Sequence, residues 1–421
     1  MTHLISLVAL GFLGATSAYV LVLVVGFVRS TGRADSTAAA ERRLIDAQVA
    51  EIMARAKLER ELQELSWNGF RKFSIDRKEM EADGVCSFYL RPHDNKPLPP
   101  FQPGQFLTFQ LPIPGQPKPV IRCYSLSDSP NPDYYRVTIK KVPPPRDKPD
   151  APWGLSSSYF HEQLQQNDIL DVKAPGGQFH IDLAKHTPVV LIGGGVGITP
   201  VLSMLNALID LGAKREVWFF LGVPNGSQHA MKAHLEALDR DHENVHLNIC
   251  YSDPAEGDVE GRDYHHKGHV SVALFKELLP SNNFDFYTCG PPPMMQAIEK
   301  DLREWGVPDK HIHYEAFGPA TVKKRAEVQP EDKDAATSAE VKFARSGKTV
   351  AWSEADGSLL ELAEAHGVTI DFGCRAGNCG TCKTAIQSGK VDYISEPGEP
   401  PEDGSCLACI SVPAGALSLD A

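Results

Sequence analysis

An excess of basic side chains is the first thing this sequence lacks: 42 Lys and Arg stand against 54 Asp and Glu, a formal charge of −12. A nucleic-acid binder neutralises phosphates with clustered cations, so that class is excluded. A disulfide framework is missing too. Of nine cysteines, Cys86, Cys123, Cys250 and Cys289 are scattered singly and the other five crowd beyond residue 370, the pattern of a reducing compartment. No internal repeat recurs and no Ser, His and Asp stand in a hydrolase arrangement. The pairs His265-His266 and His311/His313 have neither a third ligand nor helical i,i+4 spacing, so they read as loop histidines.

Long apolar runs are absent save one, residues 4–28, which are 25 uncharged positions. At about 1.5 Å per residue such a helix crosses a bilayer core of roughly 30 Å. A secretory signal would open on basic residues, whereas only Met-Thr-His precedes the run, and no small-x-small site clearly ends it. Arg29, Arg33, Arg42 and Arg43 follow, so the positive-inside rule puts the remainder in the cytoplasm. The expectation is a single-pass anchor in the inner (cytoplasmic) membrane, with the soluble domains on the cytoplasmic side. Residues 36–66 lack Gly and Pro and carry Ile45, Val49, Ile52 and Ala56 at helical spacing, which predicts a helical stalk. It is open whether that helix pairs as a coiled coil or packs on its own soluble domain.

What is there is chemistry. Cys374, Cys379 and Cys382 are spaced C-x4-C-x2-C, with Cys406 and Cys409 downstream. That is the plant-type ligand set of a [2Fe–2S] cluster, whose two irons need four thiolates on one small cage. Gly377 and Gly380 let a tight loop fold around it. A zinc site pairs two C-x2-C units, and Cys379/Cys382 and Cys406/Cys409 are so spaced, but Cys374 standing C-x4-C before Cys379 completes the plant-type pattern that a zinc pair does not need. Cys406 and Cys409 compete for the fourth position; Leu407-Ala408-Cys409-Ile410 resembles the ferredoxin pattern, which favours Cys409. The stretch from 339 to the end holds 12 Asp and Glu against 6 Lys and Arg, half of the excess charge in about a fifth of the chain. Either a plain acidic surface or a docking face for a basic partner accounts for it.

Upstream, short β-rich runs at 85–90, 105–109 and 136–142 alternate with Pro and Gly loops, which predicts an antiparallel barrel. Residues 189–192 form an apolar run leading into Gly193-Gly194-Gly195-Val196-Gly197-Ile198-Thr199-Pro200 and a helical run over 201–211. Strand, glycine turn and helix make the geometry that seats a pyrophosphate on helix N-terminal amides. Further strands at 217–222, 247–251 and 285–288 continue a βαβ series.

Arg122-Cys123-Tyr124-Ser125, with Pro103-Gly104-Gln105-Phe106 before it and Gly154-Leu155-Ser156-Ser157 after it, resembles the flavin domain of the ferredoxin–NADP⁺ reductase superfamily. The resemblance implies that Arg122 meets a flavin phosphate, Tyr124 the isoalloxazine or ribityl chain, and Ser125 the neighbourhood of N5. It also implies that Gly154 and Ser157 face the phosphates and that Lys140 lies in the cofactor site. The glycine string is the superfamily's own variant, G-x-G-x-G-x-T-P, so Gly193, Gly195, Gly197, Thr199 and Pro200 fall to the nucleotide. Cys289-Gly290-Pro291-Pro292-Pro293-Met294 resembles the motif that sets its Cys beside the nicotinamide, with Gly290 and Pro291 in the same turn. His313-Tyr314-Glu315-Ala316-Phe317-Gly318-Pro319 is similar to the flavohaemoglobin reductase ending, which implies Glu315 near the flavin and Phe317 over its ring. Ser125, Cys289 and Glu315 are the candidate catalytic residues.

The expected architecture is multi-domain: a transmembrane helix (4–28), a stalk (36–66), an antiparallel β-barrel flavin domain (67–182), an α/β parallel-sheet nucleotide domain (183–320), a linker (321–338) and a β-grasp ferredoxin domain (339–421). The domain order resembles oxygenase reductases of the phthalate dioxygenase reductase type. The resemblance implies electrons passing from NADH through FAD and the cluster to a protein acceptor. FAD is favoured over FMN by the flavohaemoglobin likeness. NADH is favoured over NADPH because 223–229 offers no Arg or Lys for a 2′-phosphate before Lys232. The anchor suggests an acceptor in or at the membrane: an oxygenase, hydroxylase or desaturase. A respiratory dehydrogenase donating to quinone and a non-enzymatic membrane redox sensor remain open.

Overall fold

A computed structural model describes residues 64–315 apart from 68, 146 and 147, and 338–421 apart from 373, 374, 376, 378, 379, 395, 396 and 398–400, with a few isolated positions before them. The chain divides into two units, Met1–Gln63 and Glu64–Ala421. The first lies almost wholly outside the described residues, and with it the expected membrane span and most of the stalk. The 321–337 stretch of the expected linker lies outside them as well. Among the described residues no helix is long and apolar enough to cross a membrane.

The flavin-type domain is one antiparallel sheet. Its strands are β1 (Arg71–Ala82), β2 (Val85–Pro92), β3 (Phe106–Leu111), β4 (Val120–Ser125), β5 (Tyr135–Lys140) and β6 (Ile169–Val172), in the order β4-β3-β6-β1-β2-β5. A bridge between Leu126 and Val137 joins the ends and closes the barrel. Period-2 alternation sends Phe73 and Ile75 inward between polar neighbours; with Phe88, Leu107, Phe109, Val137 and Phe160 they fill the interior. Between β5 and β6 lies a short helical segment, α1 (Leu155–Ser158), continued as a π-helical stretch over Tyr159–Gln163.

The second sheet is parallel throughout: β7 (Val189–Gly194), β8 (Val217–Val223), β9 (Val245–Tyr251), β10 (His266–Lys267), β11 (Asp285–Cys289) and β12 (Ile312–Glu315), ordered β10-β9-β8-β7-β11-β12. Helices α2 (Ile198–Asp210), α3 (Lys232–Asp241), α4 (Val272–Leu278) and α5 (Pro292–Glu304) connect them. Strands β7 and β8 are near-continuous apolar runs, as a sheet covered on both faces requires. From β7 the chain winds outward to β10, then returns to the other side of β7 as β11. The order therefore reverses between β7 and β11, and a ligand crevice belongs at the carboxyl ends of those strands.

The C-terminal domain packs β13 (Ala339–Phe343), β14 (Lys348–Trp352), β15 (Lys383–Ser388), β17 (Ser405–Leu407) and β19 (Leu417–Leu419) in the order β14-β13-β19-β15-β17, with β16 (Val391–Tyr393) and β18 (Ser411–Pro413) as a separate pair. Helix α6 (Leu359–Ala365) starts on a reciprocal cap, in which the Ser358 amide donates to Glu361 at 2.8 Å and the Glu361 amide donates to the Ser358 hydroxyl at 3.3 Å. Its apolar residues Leu359, Leu360 and Leu362 are buried with Val341, Phe343 and Leu419.

Candidate flavin, nucleotide and cluster sites

Three neighbouring strand ends form one wall of the crevice. Cys289 at the end of β11 is in register with Gly193 of β7 on one side and Glu315 of β12 on the other. The glycine turn and the turn after β11 are in backbone contact. A Cβ on Gly197 would stand 2.2 Å from the Cys289 carbonyl oxygen, and one on Gly290 would stand 3.1 Å from Gly194 Cα. One on Gly194 would fall 2.5 Å from Met294 Sδ and 2.7 Å from Pro291 Cδ. Three of the glycines are thus needed to let two turns of the protein touch. Gly195 differs: its φ is +54° and nothing lies within 4 Å of its missing Cβ, so it borders open space. Helix α2 begins at Ile198, three residues earlier than the sequence pattern predicts. The Thr199 hydroxyl is spent inside the turn, donating to the Val196 carbonyl at 3.0 Å, and Pro200 sits in the first helical turn, where its missing N–H costs nothing.

The opposite wall is β4, where Arg122, Tyr124 and Ser125 lie on the strand that pairs with β3. Ser125 and Glu315 are both buried, and Ser125 Oγ and Glu315 Oε2 have no hydrogen-bond partner of ordinary geometry. Burial pushes the Glu315 carboxyl up to about 8; the Ser125 hydroxyl, close enough to favour the carboxylate slightly, opposes this without overcoming it. The Cys289 thiol is also driven up, by burial first and by Glu315 second, so it is un-ionised. Burial likewise raises the Tyr124 phenol.

Arg122 donates through Nη1 to the Ile121 carbonyl at 2.7 Å and makes no ion pair among the described residues. A half-buried guanidinium without an anion suits a phosphate. Gly154 is tightly placed, since a Cβ there would meet Ser157 Oγ and Val142 Cβ at 2.8 Å. The Ser157 hydroxyl is already occupied: it donates to the Gly154 carbonyl and accepts from the Val142 amide, both at 3.0 Å. The neighbouring Ser156 and Ser158 hydroxyls, not singled out by the motif, are buried and without a partner. Lys140 donates to Gln228 Oε1 across the domain boundary at 2.9 Å, and burial lowers its pKa. Unpartnered hydroxyls, an unpartnered carboxyl and an uncompensated guanidinium around one crevice fit a flavin nucleotide. Phe317 lies outside the described residues.

In the C-terminal domain Cys382 Sγ and Cys409 Sγ are 3.1 Å apart, both buried. Cys374 and Cys379 lie outside the described residues. Cys406 is fully buried, and burial pushes its thiol up to about 11. Gly377 has φ +75°, and a Cβ there would press on Ile410 Cδ1 at 2.4 Å. Arg375 forks onto Glu364 and lies over the Phe372 ring at 3.9 Å, tying the loop to α6. Two converging sulfurs beside this loop suit a thiolate-held cluster.

The histidines singled out by the sequence have structural partners. His311 Nδ1 lies 2.6 Å from Asp285, His266 Nε2 lies 3.0 Å from Asn248 Oδ1, His265 Nδ1 accepts from the Ile249 amide at 2.9 Å, and His313 stacks on Tyr287.

Three known domain families match this chain in sequence. An oxidoreductase FAD-binding domain covers residues 73–181, an oxidoreductase NAD-binding domain 191–300 and a 2Fe-2S iron-sulfur cluster binding domain 341–414. The flavohemoprotein of Halalkalibacterium halodurans is 41% identical over 254 residues, 60% of this chain and 61% of that protein. The chain therefore spans about three fifths of the length of that curated relative. The flavohem-like FAD/NAD binding domain of nitric oxide dioxygenase from Vibrio cholerae O1 biovar El Tor is 31% identical, with a TM-score of 0.54, and is matched over its whole length by 60% of this chain. Phthalate dioxygenase reductase, described as a modular structure for electron transfer from pyridine nucleotides to [2Fe-2S], is 25% identical with a TM-score of 0.51, over 84% of this chain and 98% of that one. Strand register, unpartnered polar atoms and matched domains agree: the chain belongs to the flavin reductases of the ferredoxin–NADP⁺ reductase type fused to a ferredoxin-type domain, an oxidoreductase whose cofactors are FAD, NADH and a [2Fe–2S] cluster.

Proposed function

We propose that the chain is a membrane-anchored reductase that takes electron pairs from NADH and delivers them singly to a protein acceptor at the cytoplasmic face of the inner membrane. An oxygenase, hydroxylase or desaturase is the acceptor class. The observation that carries the reading is the side-by-side register of Gly193, Cys289 and Glu315 with Ser125 on the facing barrel, in one chain with the Cys382–Cys409 pair. Bound FAD supplies the conversion between two-electron and one-electron transfer, and the cluster supplies the one-electron outlet.

The chain's own residues do the rest. Arg122 supplies positive charge for a phosphate, and the unpartnered Ser156 and Ser158 hydroxyls supply donors beside it. Glu315, protonated at neutral pH, holds a proton in a dry site facing the Ser125 hydroxyl. Cys289 presents a small uncharged wall to the nicotinamide ring. Preference for NADH is supported by Lys232, the first cation after β8, which is bound to Asp263 at 2.6 Å. Asp258 beside it accepts from the Gly226 amide at 3.1 Å, and two carboxylates at this loop would repel a 2′-phosphate.

The anchor is supported by the apolar run at 4–28 and the arginines behind it. The test is fractionation of cells carrying the full chain or a chain lacking residues 1–35, with NADH-dependent cytochrome c reduction read in each fraction. Membrane-bound activity that becomes soluble on truncation, and an oxygenase that co-purifies from detergent extracts, are the expected results. Soluble activity from the full chain would refute the anchor. Absence of NADH turnover by fully loaded protein would leave only a sensor.

A further inference from the structure

A polar stripe runs along α2, a mostly apolar helix buried from Ile198 to Leu208. Ser203, Asn206 and Asp210 stand at i, i+3 and i+7, one face of the helix. Ser203 is fully buried and Asn206 is 6% exposed, so each needs a polar partner. All three find theirs on the barrel, in the turn directly after β4. Ser203 Oγ donates to the Asp128 carbonyl at 2.7 Å, and Asn206 Nδ2 donates to Asp128 Oδ1 at 2.8 Å. The Ser129 hydroxyl donates to the Asp210 carboxylate. His234 Nε2 of α3 lies 2.8 Å from Asn206 Oδ1, fixing that amide from behind.

The barrel holds Asp128 equally firmly. The Tyr134 hydroxyl donates to its Oδ2 at 3.1 Å and the Ser129 amide to its Oδ1 at 3.0 Å. Buried Arg136 lies 3.5 Å from the carboxylate and also donates to the Ser127 hydroxyl at 3.2 Å.

Asp128 is three residues beyond Ser125, and α2 starts where the glycine turn ends. We propose that Asp128 is a positioning residue: its carboxylate and carbonyl fix how far Ser125 on the barrel stands from Cys289 and Glu315 on the parallel sheet. An apolar contact would hold the domains together without fixing a register, because burial is non-directional, whereas directional hydrogen bonds fix one: from buried Asn206 to the Asp128 carboxylate and from buried Ser203 to its carbonyl. The proposal rests on the reading of the crevice as the place where NADH meets the flavin.

The test compares Asp128→Ala, Asn206→Ala, the double variant and the conservative Asp128→Asn, all as FAD-loaded full chain. FAD content and the KM for NADH should stay near wild type while the anaerobic rate of flavin bleaching by NADH falls about 10- to 100-fold. The double variant should be no slower than the slower single one, since both remove one contact, and Asp128→Asn should recover most of the rate. Reoxidation by cytochrome c of protein that was reduced beforehand and freed of reductant should be unchanged, and amide exchange should quicken together at 126–130 and 203–210. Wild-type bleaching in Asp128→Ala with those amides exposed would overturn the proposal, as would a loss wholly explained by missing FAD. Should Asp128→Ala not fold, Ser203→Ala, which removes one bond to the Asp128 carbonyl, should bleach several-fold slower, and a wild-type rate there would overturn it equally. Failure of the wild type itself to bleach would instead refute the reading of the crevice.

Discussion

Two glycine turns serve the two redox halves of this chain, and they need glycine for different reasons. In the turn after β7, Gly197 is demanded by backbone: its missing Cβ atom would strike the Cys289 carbonyl. In the cluster loop, Gly377 is demanded by its own φ of +75°, and the atom it would strike is the end of the Ile410 side chain. A backbone neighbour on a central parallel strand cannot yield without moving the sheet, whereas a side-chain methyl can turn aside. The nucleotide half is therefore built around a fixed distance between strand ends, and the cluster half around a loop conformation.

The largest expected effect separates the halves. Cys409→Ser should abolish cytochrome c reduction while NADH still bleaches the flavin at the wild-type rate, because the crevice lies on other elements. Cys406→Ser should leave the reaction largely intact; if it instead abolishes cytochrome c reduction, the pairing of Cys382 with Cys409 misidentifies the ligand. Next comes the comparison itself. Gly197→Ala should slow flavin bleaching by about 100-fold, the cost of roughly an ångström of displacement between reacting groups. Gly377→Ala should cost only about 1–2 kcal/mol of strain at positive φ, read as reduced iron content with bleaching unchanged. Equal damage to both functions from either variant would erase the distinction.

Much of this contrast was legible in the residues. The apolar runs of β7 and β8 identify a sheet covered on both faces. Motif order supplied the crevice, because strand, glycine turn and helix are local. Strand β1 escaped notice because Lys72, Asp76, Arg77, Lys78, Glu79 and Glu81 mask an alternation visible only at Phe73 and Ile75. Asp128 escaped because its partners lie 75 and 78 positions away, and neither Ser203 nor Asn206 marks its need for one until the helix is seen buried. Ser157 shows the converse: the motif predicted a phosphate donor, while the fold uses that hydroxyl to tie Val142 to Gly154.

Arg122→Ala should weaken FAD retention by at least about tenfold, since hydrogen bonds to charged groups contribute about 1.5–3 kcal/mol. Flavin content after dialysis reads this, and iron content should not change. A smaller effect belongs to Glu315. The folded chain keeps this proton up to about pH 8, whereas an unfolded glutamate releases it near its ordinary value of about 4.3. Between those limits the unfolded state binds fewer protons, so stability falls as pH rises. Flavin-free protein should melt at a lower temperature at pH 8.5 than at pH 5.5, and Glu315→Gln should flatten that slope. An unchanged slope would place the carboxyl in water.

The smallest effect tests which serine serves the fold and which the ligand. Ser157→Ala removes a donor and an acceptor from a partly buried turn, leaving the Val142 amide and the Gly154 carbonyl each one partner short. It should cost about 1–3 kcal/mol of stability, with FAD affinity following only as far as the turn loosens. Ser156→Ala removes a hydroxyl that has no partner in the protein, so thermal stability should hold or rise slightly while FAD dissociates several-fold faster. Melting temperature of the flavin-free chain and FAD release measured on the same pair decide it. If Ser156→Ala is the destabilising change, its hydroxyl has an internal partner and the phosphate side of the crevice is Ser157 after all.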